Sequence, residues 1–146
     1  MRMNQTEQFL GEQTKWPAAA LQLHALQGLW GGRIITVSGS GQVMARLVGQ
    51  GMWEQRYEWQ MAAAATQTLF ALFIHYDFAA LSLPSRLGLP NETLIQLSLI
   101  NSQGKIITQA QWQDDSHPIF DTLSAAILKL ESHTQMLEPV YAGPYT

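Results

Sequence analysis

Residues 61–81 read MAAAATQTLFALFIHYDFAAL, the longest apolar run in the chain, with short strand-like segments on both sides. Ala62, Ala65, Leu69, Leu72, Phe73, Tyr76 and Ala80 recur at steps of three and four, the period of a helix. Four alanines open the run, and alanine loses no side-chain entropy on entering a helix. Phe70, Ile74 and Phe78 widen the apolar stripe beyond what a surface helix needs. Gln67, His75 and Asp77 interrupt it, so it is too short and too broken to span a membrane. It predicts a helix buried across a sheet at the centre of one core.

The sheet announces itself on either side. In residues 19–27, Leu21, Leu23 and Ala25 alternate with Gln22 and His24. The segment GLWGG at 28–32 is a glycine-rich turn, and IITV and QVMARLV then flank the turn SGSG at 38–41. Residues 53–61 alternate most cleanly, with Trp53, Tyr57, Trp59 and Met61 on an inward face and Glu54, Arg56, Glu58 and Gln60 on a wet one. Beyond the helix, 82–92 (SLPSRLGLPNE) reads as an ordered loop pinned by Leu83, Leu87 and Leu89. A second hairpin, 93–100 with 105–112 about the turn NSQG, places Ile95, Leu97 and Leu99 inward with Ile106, Ala110 and Trp112. Asp114, Asp115 and Ser116 supply cap chemistry for a helix over 118–131.

The expected order is β-β-β-β-α-β-β-α. Short hairpin connections demand antiparallel pairing, and two one-faced helices need the same apolar sheet face, so the fold class is α+β with an antiparallel sheet of about six strands. At 146 residues this is one domain over 18–133, with a mobile arm or single helical turn at 1–17 and an irregular tail at 134–146.

Composition limits function. Only 13% of the residues are charged and the net charge is −3, with polarity carried by sixteen glutamines, so there is no footprint for nucleic acid. Cysteine is absent, which removes disulfides, thiolate zinc sites and cysteine nucleophiles. No metal-ligand spacing or cofactor motif is present, and no cofactor, metal or membrane partner is expected; the N-terminus lacks a signal-peptide core, so the default location is cytoplasmic. His75 and Asp77 sit two apart on a helix and point about 200° away from each other, so they make no acid–base pair. Asp114, Asp115 and His117 could bind a metal but read as a helix start, and the glycine turns lack a phosphate-loop form.

The series GGRIITVSGSGQV, a helix ending in HYDFAALSLP, a hairpin and DDSHPIFDTLSAAILKL resembles a group of small bacterial domains of unassigned function. These show a GG turn, a V-x-G-x-G hairpin, a helix ending in D-F-x-x-L and a final helix with a D-x-x-P-x-F start. The layout is also similar to that of the emfourin-type inhibitors of thermolysin-like metalloproteases. The likeness covers about residues 20–131. It implies the fold and inhibitor-like binding, and it carries no catalytic residue.

The reading that emerges is a non-enzymatic protein-binding module acting through the polar sheet face, a sheet edge or the Trp30 turn. Its expected contact residues are Trp30, Gly31, Gly32, Glu54, Arg56 and Glu58. Trp53, Trp59 and Trp112 fall at inward positions, and Trp30 either folds over the end of the core or stands out as an anchor. The alternatives are a small enzyme pairing Glu54 or Glu58 with His24, and a self-associating structural subunit.

Overall fold

The computed structural model describes residues 2–28 and 30–146. Leu29, in the middle of the glycine-rich turn, lies outside the described residues, as does Met1. The elements are α1 (Gln5–Leu10), β1 (Ala20–Gln27), β2 (Gly31–Ser38), β3 (Gln42–Val48), β4 (Trp53–Gln60), α2 (Ala63–His75), β5 (Leu94–Ile100), β6 (Ile106–Trp112), α3 (Pro118–Leu128) and β7 (Tyr141–Pro144). The strands form one antiparallel sheet in the order β6-β5-β1-β2-β3-β4-β7. Among the described residues no helix is long and apolar enough to cross a membrane.

One face of the sheet carries the core. Leu21, Leu23, Ile35, Val37, Val43, Ala45, Leu97 and Leu99 meet Phe70 and Phe73 of α2, Phe78 beyond it, and Phe120, Leu123 and Ile127 of α3. Phe73 is fully buried and packs edge-on against Phe78, with ring centroids 5.3 Å apart, so its truncation to Ala belongs with core losses of about 3–5 kcal/mol. α2 buries one face only, through Thr66, Leu69, Phe70 and Phe73, while its alanine-rich side is open.

The chain ends are more structured than the sequence suggests. Within 1–17, α1 begins at a capping box formed by Asn4 and Glu7 and buries Leu10. Thr6 donates its backbone N–H (3.0 Å) and hydroxyl (2.8 Å) to Asp77, which holds a left-handed backbone at the end of α2. In the segment read as an irregular tail, Tyr141–Pro144 adds a seventh strand to β4.

Four side-chain expectations are corrected. In the second hairpin the loop is five residues long, because Asn101 N bonds Lys105 O and Gly104 takes a positive φ of 81°. Ile100 therefore pairs with Ile106, and Ile107, Gln109 and Gln111 face inward in place of Ile106, Ala110 and Trp112. A one-residue slip exchanges the two faces of a strand. At α3 the N-cap is His117, whose Nδ1 accepts from Ile119 N and Phe120 N, and Asp114, Asp115 and Ser116 do not cap. Trp53 is 55% exposed despite its inward parity, and Leu87 and Leu89 stand in solvent instead of pinning their loop.

Candidate functional site

Antiparallel pairing brings one set of connections together. Gln27 pairs with Gly31, Gly32 with Val48, Val48 with Glu54, and His24 with Gln96, so the β1–β2 turn, the β3–β4 turn and the loop before β5 all lie at the same end of the sheet. From β5 to β4 this end spans four strand spacings, about 19 Å. It carries Trp30, Trp53, Leu87 and Leu89, which are 54%, 55%, 93% and 63% exposed.

Each of these side chains sits on a constrained backbone. The turn at Trp30 closes through its N–H, which donates to the Gln27 carbonyl (3.2 Å) and to Gln27 Oε1 (3.0 Å). Gly31 and Gly32 follow with φ of 81° and 145°. A Cβ at Gly31 would strike the Val48 carbonyl and one at Gly32 the Ala25 carbonyl, so only glycine lets β2 enter between its neighbours there. Trp53 opens β4 after a turn in which Gly51 and Met52 both have positive φ. Trp59 reaches the helical layer and packs on His133 at 4.9 Å. Trp53 is six residues back, about 20 Å along the strand, and lies beyond that layer.

Leu87 and Leu89 ride on a loop organised by Arg86. Its Nη1 and Nη2 donate to Glu92 Oε1 (2.8 Å) and Oε2 (2.6 Å), and its Nε donates to Asp115 Oδ2 (3.0 Å). Leu89 N also donates to Glu92 Oε1 (2.8 Å), and Trp112 Nε1 donates to the Arg86 carbonyl (3.0 Å). The Arg86 guanidinium and the Leu89 amide hold Glu92 down to a pKa of about 2, and the carboxylates raise Arg86 above its ordinary value. Such bidentate charge-assisted bonds fix geometry as well as charge. The two leucines are thus displayed on a framework fixed by charge-assisted bonds.

Between these apolar points run two clefts. One, of about 560 Å³, lies between Trp30 and Trp53, with Arg33, Gln50, Gln55 and Glu131 supplying polar groups. The other, of about 300 Å³, lies on the β5 side of Trp30 and is lined by Leu23, Ala25, Thr93, Ile95 and Leu128. Arg33 and Glu131 form an ion pair beneath the first, and Trp30, Gly32 and Arg33 border both.

The remaining sequence-selected residues lie elsewhere. Glu54 projects to the opposite face, where Arg46 (2.7 and 3.1 Å) and Arg56 (3.0 and 3.3 Å) occupy both its oxygens. Arg46 and Arg56 in turn lie 4.9 Å over the rings of Tyr145 and Tyr141. Glu54 is fully buried, and hydrogen bonding from Arg46, then from Arg56, outweighs burial and lowers its pKa to about 2. A carboxylate so held is no general base near neutrality. His24 shares this face but stands three strands away, about 14 Å, so the enzyme pairing of Glu54 with His24 does not assemble. Glu58 is exposed opposite Met44. The structure therefore brings Trp30, Gly31 and Gly32 together and separates them from Glu54, Arg56 and Glu58. Among the described residues no three His, Cys, Asp or Glu side chains are grouped to hold a metal ion.

Sequence reasoning misses Trp53, Leu87, Leu89, Arg33 and Glu131. The spacing Arg86 to Glu92, bracketing two leucines between prolines, is the one local signal that points to a braced loop. No family model, no curated protein and no solved structure matches this chain.

Proposed function

We propose that the domain is a protein-binding module whose contact surface is the sheet end bearing Trp30, Trp53, Leu87 and Leu89. One observation carries the reading: four of the eight large hydrophobic side chains left exposed among the described residues gather on this end, each on a braced turn or loop. Scattered apolar residues are ordinary on a surface, whereas a grouped set rimmed by polar side chains marks an interaction site. Tryptophan anchors dominate interface energetics because one rigid ring removes a large apolar area from water. Bracing by Arg86 and by the glycine turn lowers the ordering cost that a loose loop would meet on binding. The similarity in layout to emfourin-type inhibitors supports an inhibitor-like action on the protein so bound.

The test is capture from a lysate of the native host with the domain immobilised, comparing wild type with the double variant Trp30→Ala, Leu87→Ala. Proteins retained by the wild type are lost from the variant while the two melt alike. Retention of the same proteins by both would place binding elsewhere.

A further inference from the structure

The two edges of the sheet are built differently. β7 has four residues, ends in Pro144 and is held by rings stacked under arginines. β6 has seven, IITQAQW, with no charge, proline or glycine, and it pairs with β5 without interruption from Ile106 to Trp112. Edges are normally closed by charge, proline, bulges or shortness, and β6 has none of these.

The phase of the open edge follows from its flanking hydrogen bonds. Gln113 N donates to Thr93 O (3.0 Å) and Asn101 N to Lys105 O (2.9 Å). Ile107, Gln109 and Gln111 therefore bond inward to β5, and the N–H and C=O groups of Ile106, Thr108 and Ala110 point away from the sheet. None of these six groups has a partner among the described residues, whereas the next outward carbonyl, that of Trp112, is taken by Asp115 N. Ile106 is 60% exposed beside them. The side chain of Gln109 turns beneath the sheet to the carbonyls of Phe78 and Leu81, clear of the edge.

We infer that β6 pairs antiparallel with β6 of a second copy of this chain, about a twofold axis at Thr108, joining two sheets into one. In that register all six outward groups of each copy find partners. Ile106 lies opposite Ala110 of the other copy at both ends, large against small, and Thr108 meets Thr108 in the middle. Threonine pairs and apolar pairs directly opposite stabilise a ladder, and like charges opposite would oppose it; β6 contributes none. Antiparallel order also sets the end beside Lys105 toward the other copy's acidic end at Asp114, where parallel order would bring like ends together. The contact is isologous and closes after two copies. It is separate from the surface with Trp30 and Leu87.

Sedimentation velocity of the full chain at tens of micromolar gives a dimer. Thr108→Pro removes an outward N–H and keeps the backbone bonds to β5, giving up only the hydroxyl contact with Ser98 (2.9 Å), and Thr108→Lys places like charges across the axis; each gives a folded monomer whose melting, unlike that of the wild type, does not depend on chain concentration. Because the natural chain lacks cysteine, Thr108→Cys is a clean reporter: facing Cα atoms in a hydrogen-bonded pair stand about 5.5 Å apart, within disulfide reach. Mild oxidation links Thr108→Cys into a covalent dimer and leaves the Ser102→Cys turn variant unlinked. A wild type that sediments as a monomer, a dimer that Thr108→Lys leaves intact, or equal linking of both cysteine variants would overturn the assignment. Trp30→Ala leaves the dimer unchanged, which separates this result from the fate of the proposed binding surface.

Discussion

Gly143 of β7 lies directly opposite Glu54 of β4. A Cβ at Gly143 would strike the Tyr141 ring, so glycine there lets that ring lie along β7, and the rings of Tyr141 and Tyr145 stack on the two guanidinium partners of the carboxylate. The ion cluster is thus the fastening of β7 to the sheet.

Replacing that carboxylate unfastens the strand. Glu54→Gln leaves two guanidinium groups without their charge partner, and breaking such a pair costs on the order of 3 kcal/mol. Denaturant melts measure the loss. Amide exchange at Val140 and Tyr145, which bond Arg56 O and Met52 O, rises more than at the sheet centre. Equal exchange at both places would show that the cluster stabilises the whole domain uniformly.

Acid acts on the same group. Folding lowers Glu54 from an ordinary 4.5 to about 2, so the folded state binds fewer protons than the unfolded chain in that window. Its contribution is complete above about pH 4.5 and is lost as pH falls toward about 2. Because Arg46 and Arg56 remain partly in water, the amount is on the order of 2 kcal/mol. Glu92 is lowered in the same direction by Arg86 and steepens the decline. Stability of Glu54→Gln measured from pH 6 downward shows a shallower slope than that of wild type; parallel curves would remove Glu54 as a source.

Trp30 and Trp53 offer a contrast between reading by parity and reading by position. Both indoles are more than half exposed, so Trp30→Ala and Trp53→Ala each change stability by about 0.5 kcal/mol or less, as surface substitutions do. A loss of about 3 kcal/mol in either melt would mean that the ring is packed in the core.

The start of α3 distinguishes two sets of capping candidates. His117→Ala costs about 0.5–2 kcal/mol, while Asp114→Ala costs almost nothing. His117→Asn, which keeps an acceptor at the cap, recovers most of the loss. The same measurement applied to Asp121 probes a different bond set: burial raises its pKa, but Ser116 and Gln111 donate to it and the balance is downward.

The order of elements and the sheet-plus-helices layout were legible because period-two and period-3.6 patterns switch cleanly at residue 62 and again near 118. Hairpin register was not. The turn at 101–105 uses a left-handed Gly104 to admit one more residue, and the sequence NSQGK looks alike with either loop length. The cap was misplaced because an imidazole can accept as a carboxylate does. The apolar sheet end was only partly legible: Trp30 announces itself between glycines, but Leu87 joins it through a pairing of β1 with β5 that no local pattern encodes. Glu54 alternates like a wet-face residue and is dry because β7 covers it, a strand too short to register as one.

The place of β1 in the strand order has a kinetic consequence. β1 to β4 pair with one another in sequence order and can zip up locally, but the other side of β1 waits for Leu97 and Leu99 to arrive opposite Leu23 and Leu21. Closing that long loop is the slow part of assembling such a sheet. Until it closes, a four-stranded intermediate presents the bare edge of β1, a strand that ends up inside the sheet. Chain concentration during refolding therefore decides whether that edge meets its own β5 or a strand from another molecule.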